Sequence, residues 1–484
     1  MLNKLMIISI FFVHANYSIT SKSFSKPIPI QPDLSKTELR WDWTKINYNN
    51  IRFPKDFLFG FGTSEYQISG ADNCPDSNWA HYEKQKKKNG NDCLEFKSGK
   101  ACDHWNVYKK DIALLKQFKI NSYRFSIEWS NIEPQEGVFD RAAIKHYHDL
   151  FDLLKANNIT PFVTLHHFTH PQWFEKLGGF EREKNIQYFV RFCKVVFNEY
   201  KNKAKYWVTF NEPGVYVFQG YMRGVYPPGK TNTQLAGKVT RNILRAHVST
   251  YNVLRAMEPS KEKAQIGIVH NITQFEPFNP KNKLEKTITY YLNHTFFEAV
   301  LDFFKTDKYK FKVPFFFANV KYEYKDAKST LDFFGLNYYS HVLVNWKSKK
   351  PQYRDGEIET DMPYGIYAEG MYRAINQVSK IGVPIYITEN GIADAKDDRR
   401  ELFLKQYLYA VSQAIKDGYD VRGYFYWSLL DNFEWDMGFD LKFGLFEVNL
   451  KTRERKLRKS GLYYKKVLEN HYKRHNKPPV LVKA

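Results

Sequence analysis

Short apolar stretches recur along the whole chain, each rich in β-branched and aromatic residues and bounded by polar segments. They are almost continuously apolar rather than alternating, which is typical of parallel strands that are covered on both faces. The pattern therefore predicts eight buried strands, within segments 56–68, 122–129, 160–168, 206–213, 264–272, 331–340, 383–391 and 421–432.

Helical spacing appears between these stretches, most clearly in 104–118, 142–158 and 402–418, where apolar residues form one stripe and lysines take the other side. Alternating strands and helices predict βα units. Because no Gly-rich dinucleotide turn is present, we predict an α/β fold with a single closed (β/α)8 TIM barrel rather than an open sheet. The long stretches 69–103 and 213–233 are expected to be loops at the C-terminal face of the strands.

The first residues have the pattern of an export signal. Lys4 precedes a short apolar run, and Val13-His14-Ala15 forms a small-residue cleavage site. The run is too short to span a bilayer, and no later run is long enough to do so. We therefore predict a signal peptide at 1–15, a single catalytic domain over 16–484, a secreted protein and no insertion into a membrane.

Export makes disulfides possible. Cys74 and Cys93 flank a polar loop rich in lysine and asparagine, and they are the preferred pair. Cys102 is the next candidate for pairing. Cys193 lies among apolar residues of a helical segment, where a buried thiol is expected.

Export also makes N-glycosylation possible, and the acceptor pattern Asn-x-Ser/Thr occurs at Asn16, Asn158, Asn271 and Asn293. Asn158 stands just before a strand, with a proline after the pattern, and Asn271 stands at a strand end. The sequence therefore predicts Asn293 as the exposed, glycosylated acceptor.

The charge balance is strongly basic, with a formal net charge of +21. Lysine and arginine are scattered through the chain and are densest in 451–479. A solvated helical face or attraction to an anion would each explain this density. No zinc-knuckle spacing, RNA-binding motif or phosphate loop is present, so nucleic acid is not an expected partner. Without Cys-x-x-Cys or clustered histidines, we expect neither a bound metal nor a cofactor.

Two of the predicted strands end in glutamate: "YWVTFNE" closes on Glu212 and "VPIYITE" on Glu389. Taken alone, each glutamate could cap a helix or face solvent. In a (β/α)8 barrel, however, the C-terminal ends of all strands meet at one face. Two facing carboxylates suit the hydrolysis of an acetal, where one acts as an acid and the other as a nucleophile.

Polar and aromatic groups also close the other predicted strands. Amide, guanidinium, imidazole, phenol and indole groups would meet around the two glutamates. Such a ring matches a pyranose, whose hydroxyls need paired donors and acceptors and whose C–H face stacks on indole. The residues are Gln67, Arg124, His166, His167, Asn337, Tyr339, Trp427, Glu434 and Trp435.

Several motifs together resemble those of the family 1 glycoside hydrolases, the β-glucosidase-like barrels, from about Phe53 to Lys466. The motifs are "FPKDFLFGFGTSEYQISGA", "YRFSIEWSNIEPQEGVFD", "TFNEPG", "DFFGLNYY", "YITENGI" and "GYFYWSLLDNFEW". The resemblance implies a retaining double displacement through a covalent glycosyl-enzyme.

The resemblance also implies roles for individual residues. Glu212 is expected to be the general acid/base and Glu389 the nucleophile, with Arg124 and Tyr339 orienting Glu389. Asn211 would bond the 2-hydroxyl of the sugar. The expected sugar-binding residues are Gln67, His167, Asn211, Asn337, Tyr339, Trp427, Glu434 and Trp435.

The expected substrate is a β-D-glucoside with a small aglycone, and Glu434 argues against a 6-phosphate. An animal-type thioglucosidase (myrosinase), which cleaves glucosinolates, is an alternative suggested by the basic charge balance. A non-catalytic sugar-binding relative is a further alternative. Ser69, Phe168 and Gly214 depart from the family pattern and are expected to affect substrate preference. Whether the protein is a monomer or a homodimer stays open.

Overall fold

The computed structural model of the chain describes residues 40–86, 90, 92–314 and 318–475. The predicted signal peptide at 1–15 lies outside these residues, so both it and secretion stay predictions.

Eight parallel strands close into a barrel, which confirms the predicted fold. Each strand pairs with its two neighbours in chain order, and the last pairs with the first. The strands are β1 (Leu58–Gly62), β2 (Ser122–Ser126), β3 (Thr160–Thr164), β4 (Tyr206–Asn211), β5 (Gln265–Asn271), β6 (Phe333–Asn337), β7 (Ile385–Asn390) and β8 (Val421–Trp427).

Helices surround the barrel. The three that the sequence predicted are present, as His104–Lys116, Arg141–Ala156 and Arg400–Lys416. The other α-helices are Glu65–Asn73, Asn78–Glu83, Trp129–Ile132, Gln172–Lys176, Ile186–Tyr200, Pro213–Val217, Thr233–Met257, Lys283–Asn293, Ala299–Thr306, Glu369–Ser379 and Lys459–Arg474.

Short strand pairs and helical turns lie outside the barrel. Strands Lys308–Val313 and Ala318–Glu323 are antiparallel, as are Phe446–Val448 and Arg455–Leu457, whereas Gln274–Pro277 runs parallel to His341–Val344. The stretches predicted as loops at 69–103 and 213–233 contain helices. The helical turns are π-helices Phe218–Arg223 and His294–Glu298, and 3-10 helices Tyr48–Asn50, Gly179–Glu181, Glu183–Asn185, Ala327–Thr330 and Trp435–Met437.

An aromatic layer fills the N-terminal half of the barrel. The ring of Phe162 packs against those of Tyr206, Phe333, Tyr386 and Phe425 at centroid distances of 5.0–5.4 Å. Large inward side chains leave no channel through a barrel of this size. The part of the barrel interior left for a polar pocket is therefore at the C-terminal mouth.

The predicted disulfide is wrong, because all four cysteines are free thiols. Cys74 caps the C-terminus of the helix before it and is buried, with its sulfur 3.9 Å from Asn131 Nδ2. Cys93 is half-buried in a loop, and its N–H donates to the carbonyl of Gln85. Cys102, the second candidate, donates its thiol to the Asp431 carbonyl.

The expected exposure of Asn293 is also wrong. Its side chain is half-buried in a helix, accepts the N–H of Phe275 and donates to the same residue's carbonyl, each at 2.9 Å. Both ends of the amide are therefore occupied. Asn271 is buried, and among the acceptor patterns in the described part of the chain only Asn158 is exposed. Asn16 lies outside the described residues.

Within the described ranges, no helix combines the length and the apolarity needed to cross a bilayer. The same residues hold no group of three or more His, Cys, Asp or Glu side chains placed to bind a metal ion.

Candidate active site

A cavity of about 190 Å³ opens at the C-terminal mouth of the barrel. Three of the predicted residues lie beneath its surface, where they bond to the lining groups: Arg124, Asn211 and Asn337. The predicted residues that line it are Gln67, His167, Glu212, Tyr339, Glu389, Trp427, Glu434 and Trp435.

Glu212 is turned toward this cavity by an irregular strand end. The register of β4 against β5 shifts between Val208 and Asn211. Glu212 then takes a left-handed backbone conformation, with φ 44° and ψ 63°, and Pro213 starts a helix directly after it. A glutamate in this conformation costs on the order of 1–3 kcal/mol, which the surrounding structure must offset. Strain of this kind is concentrated at functional sites.

The carboxyl of Glu212 is held by neutral amides. Its Oε1 accepts hydrogen bonds from Asn337 Nδ2 at 2.7 Å and Asn271 Nδ2 at 3.0 Å. Burial and the charge of Glu389 raise the pKa of Glu212 to about 8, against the lowering effect of the two amides. At neutral pH this carboxyl therefore carries a proton.

Glu389 has different surroundings. The register between β6 and β7 shifts between Ile387 and Glu389. The guanidinium of Arg124 donates to one carboxylate oxygen at 2.6 Å, and the hydroxyl of Tyr339 donates to the other at 2.7 Å. Burial and the charge of Glu389 raise the pKa of Tyr339 well above its usual range, so its hydroxyl stays a donor. Glu389 is thus fixed at both oxygens beside a positive charge.

Arg124 connects the two glutamate strands. Besides Glu389, it donates to the Asn211 side-chain oxygen at 2.7 Å and to the Thr388 carbonyl at 3.1 Å. The amide nitrogen of Asn211 then lies 3.1 Å from His167 Nε2. Burial, with the charge of Arg124, holds the pKa of His167 well below its usual range. His167 is therefore neutral, and its Nε2 accepts while its Nδ1 carries the hydrogen.

The far wall of the cavity is built by Gln67 and Glu434. Gln67 lies in the helix Glu65–Asn73 rather than at a strand end, because β1 stops at Gly62. Its Nε2 donates to Asn432 Oδ1, the Phe433 carbonyl and Glu434 Oε2, at 3.1, 3.0 and 3.3 Å. Burial and nearby carboxylates, foremost Glu389, raise the pKa of Glu434 to about 8.

Indole rings flank His167 on two sides. Trp427 ends β8 and stacks with the imidazole at a centroid distance of 5.8 Å, and Trp435 does so at 6.2 Å. The ring of Trp435 also packs against those of Trp79 and Phe168, at centroid distances of 4.6 and 5.3 Å. The cavity therefore combines flat apolar walls with paired hydrogen-bonding groups.

The whole chain except its ends matches the model of glycosyl hydrolase family 1, over residues 49–473. The chain belongs to glycosyl hydrolase family 1. The resemblance seen in the sequence is confirmed, and the protein is a glycosyl hydrolase.

Relatives of this family 1 hydrolase match over nearly their whole lengths. A 1,4-beta-D-glucan glucohydrolase of Thermotoga neapolitana is 32% identical over 87% of this chain and 98% of that protein. Beta-glucosidase A of Thermotoga maritima is 32% identical over 87% of this chain and 99% of that protein. The solved structure of a beta-glycosidase from Pyrococcus horikoshii has a TM-score of 0.77 at 38% identity and covers 88% of this chain and 99% of that one.

The three residues that depart from the family pattern, Phe168, Ser69 and Gly214, have different positions relative to the cavity in this family 1 hydrolase. Phe168 lines the cavity. Ser69 does not; it is buried, donates to Glu65 and accepts the Trp105 N–H at 3.0 Å. A Cβ on Gly214 would lie 1.9 Å from the Phe296 carbonyl oxygen, so this position needs glycine for close packing.

Sequence reasoning missed several residues of the site. The sequence analysis considers Asn271 only as a possible glycosylation site. Its position at the end of a barrel strand was the signal that could have placed it in the active site. Further side chains line the cavity without any signal in their local sequence: Val215, Gln219, Tyr226, Thr273, Met362, Tyr364 and Phe443.

Proposed function

We propose that this family 1 hydrolase cleaves β-D-glucosides of small, uncharged aglycones with retention of anomeric configuration. The observation that carries the proposal is the contrast between two carboxyls on one cavity. Glu212 is bonded to neutral amides and has a pKa raised to about 8, whereas Glu389 is paired with Arg124. Two carboxyls whose surroundings differ in this way suit an acid and a nucleophile.

In the first step, Glu389 attacks the anomeric carbon while Glu212 gives its proton to the departing oxygen. A covalent glycosyl ester of Glu389 results. Esterification removes the negative charge of Glu389, so the pKa of Glu212 falls and its carboxylate is ready to act as a base. In the second step, Glu212 takes a proton from water as that water attacks the ester.

Recognition of the sugar is supported by two buried polar atoms facing this region. Gln67 Oε1 and His167 Nδ1 have no hydrogen-bond partner among the described residues. One is an acceptor and the other a donor, and sugar hydroxyls can satisfy both. Trp427 offers the flat face on which the C–H side of a pyranose stacks. Glucose is the proposed sugar because one of the relatives described above is a glucosidase by name.

The lining of the cavity disfavours anionic substrates. Among the described residues around it there is no lysine or arginine, while three glutamates contribute carboxyls: Glu212, Glu389 and Glu434. A 6-phosphate or a sulfated aglycone would find no free cation there. The net charge that suggested a thioglucosidase thus lies away from the pocket, and an O-glucoside is the better supported substrate. With both carboxyls in place, catalysis is better supported than sugar binding alone.

The test is a substrate panel on the purified protein, with aryl β-glucoside, β-galactoside, β-fucoside, 6-phospho-β-glucoside and a glucosinolate. We expect the neutral glucoside to be turned over fastest and Glu389→Gln to be inactive. Proton NMR should show β-glucose as the first product. A 2-deoxy-2-fluoro glucoside should label Glu389, as read by peptide mass spectrometry. α-Glucose as the first product, or turnover of the glucosinolate alone, would contradict the proposal.

A further inference from the structure

Both hydrogen bonds that described side chains make to the Glu212 carboxyl end on the same oxygen. Asn337 and Asn271 each donate through Nδ2 to Oε1, at 2.7 and 3.0 Å. The other oxygen, Oε2, receives no amide donor from the described part of the chain. The carboxyl is therefore held asymmetrically.

Threonine hydroxyls fix the orientation of both amides. The side-chain oxygen of Asn271 accepts the hydroxyl of Thr273 at 2.7 Å, and that of Asn337 accepts the hydroxyl of Thr388 at 2.7 Å. An amide turned the other way would set its oxygen against Glu212 whenever Glu212 is a carboxylate, which it becomes each time it gives up its proton. Nitrogen is therefore the atom that each amide presents to Glu212.

An oxygen that accepts two N–H donors is a poor place for a carboxyl hydrogen, because the hydroxyl oxygen is the weaker acceptor of a neutral carboxyl. The hydrogen then belongs on Oε2. We propose that Asn271 is a positioning residue which, together with Asn337, keeps the acidic hydrogen of Glu212 on Oε2, the atom that hands it to the leaving group. This inference rests on the proposed glycosidase function.

The proton balance follows from this assignment. As the bond between the anomeric carbon and the aglycone oxygen breaks, the hydrogen on Oε2 passes to that oxygen and Glu212 becomes a carboxylate. In the second half of the reaction, Oε2 takes a hydrogen from the attacking water and the original state returns. The two amides donate to Oε1 throughout, and their bonds strengthen when the carboxyl is charged.

Asn271 also limits how strongly Glu212 holds its proton. Its hydrogen bond favours the charged carboxylate, against burial and the charge of Glu389, which favour the neutral form. The tyrosines around Glu212 have pKa values raised by burial and stay neutral near pH 7. The charged and titratable groups that face Glu212 are Glu389, Arg124, Glu434, Tyr226, Tyr339 and Tyr364.

The test compares three variants of the full-length protein on two glucosides. Asn271→Leu removes the donor, Thr273→Val removes only its orienting hydroxyl, and Thr273→Ser retains a hydroxyl as the matched control. One glucoside has a dinitrophenyl leaving group, which departs with little protonation, and the other has an alkyl leaving group, which needs the proton. The readouts are the pH profile of kcat/KM and the ratio of the two rates.

For Asn271→Leu we expect the alkaline limb to move up by roughly half a pH unit or more, because a donor to the carboxylate is lost. The alkyl glucoside should lose about tenfold more activity than the dinitrophenyl glucoside, because proton delivery is impaired. Thr273→Val should shift both readouts in the same direction, and Thr273→Ser should stay closer to the native protein.

An equal loss on both glucosides with an unmoved alkaline limb would overturn the inference, since it would mean that Asn271 only packs the site. If Asn271→Leu does not fold, the comparison of Thr273→Val with Thr273→Ser decides by the same two readouts. Absence of turnover by the native protein on either glucoside would instead refute the proposed function.

Discussion

Arg124 and Glu389 form an ion pair of 2.6 Å in which the arginine side chain is fully buried and the carboxylate almost so. A buried charge that loses its partner is left without water or a counter-ion. The pair therefore holds Glu389, the proposed nucleophile, in place and makes the site intolerant of substitution.

Replacing Arg124 by methionine is expected to destabilise the fold by about 3–5 kcal/mol and to lower kcat/KM at least about a hundredfold in the protein that still folds. Urea unfolding and kinetics on an aryl β-glucoside measure the two effects. The matched control is Arg400→Met, because Arg400 is also buried but pairs with Asp397 away from the cavity. It should lose stability while the folded fraction keeps its kcat/KM; a similar loss of activity in both variants would contradict the assignment.

The pH profile should report the proton on Glu212. Because its pKa is raised to about 8, the acid form is present below that pH and is lost above it. We expect kcat/KM for an alkyl β-glucoside to fall as pH rises through about 8. Because Glu434 has a similar pKa, this fall in kcat/KM reports an apparent pKa of the interacting carboxyls together and not of Glu212 alone. A profile that stays flat to pH 9.5, with the protein still folded, would contradict it.

Two isosteric substitutions should change stability in opposite directions. The pKa of Glu212 rises from 4.5 to about 8 on folding, so native Glu212 binds its proton more tightly than the unfolded chain does. Between these pH values, rising pH favours the unfolded state, which ionises first. Glu212→Gln removes this penalty and should stabilise the fold at pH 7 by roughly 2–4 kcal/mol, and hardly at all at pH 4.

Glu389→Gln is the matched partner of that experiment. It removes the charge that compensates Arg124 and should destabilise the fold by about 1–3 kcal/mol at pH 7. Thermal unfolding of both variants across pH 4–8 gives the comparison. Shifts of the same sign for the two glutamine variants at pH 7 would show that the two carboxyls do not have the contrasting surroundings described above.

Thiol chemistry should distinguish the observed cysteines from the predicted pair. With four free thiols, of which only Cys93 is more than slightly exposed, a thiol reagent should modify one cysteine in the native protein and four after denaturation without reductant. Adding reductant should leave the Tm unchanged. Two thiols after denaturation would show that a disulfide forms after all.

The barrel and its two glutamates could be predicted because their signals are local. Near-continuous apolar runs specify buried parallel strands, and the end of a strand is the one place where a barrel exposes polar groups to a common pocket. Glu212 and Glu389 stand at such ends. The register shifts that aim them depend on pairing between strands, which no single run of sequence contains.

Other features depend on where the chain turns and on which groups the side chains contact, and the position of a residue in the sequence does not specify either. The sequence places Gln67 at the end of the first predicted strand, whereas the strand ends at Gly62 and a helix starts at Glu65. Cys74 and Cys93 flank one loop in the sequence, but both are free thiols, and this depends on the placement of their side chains and not on the spacing. Asn271 ends β5 beside β4, so its strand-end position was a signal for the site, but its contact with Glu212 depends on the register shift between these two strands.

Glu434 offers a last test, because burial and neighbouring carboxylates hold it neutral below about pH 8. A glutamine mimics a neutral carboxyl in size and hydrogen bonding, whereas alanine leaves Gln67 without one partner and the sugar without a contact. We therefore expect Glu434→Gln to raise the KM for a β-glucoside less than Glu434→Ala does at pH 6. The ratio of the KM of the glutamine variant to that of the native protein should change between pH 6 and pH 9, because only native Glu434 ionises there. Asp440→Asn is the control, because Asp440 is an exposed carboxyl on the same segment that does not line the cavity, whereas Asp436 contributes to the raised pKa of Glu434. If glutamine and alanine raised KM equally at pH 6, Glu434 would act as a carboxylate there and the reasoning from its burial would be wrong.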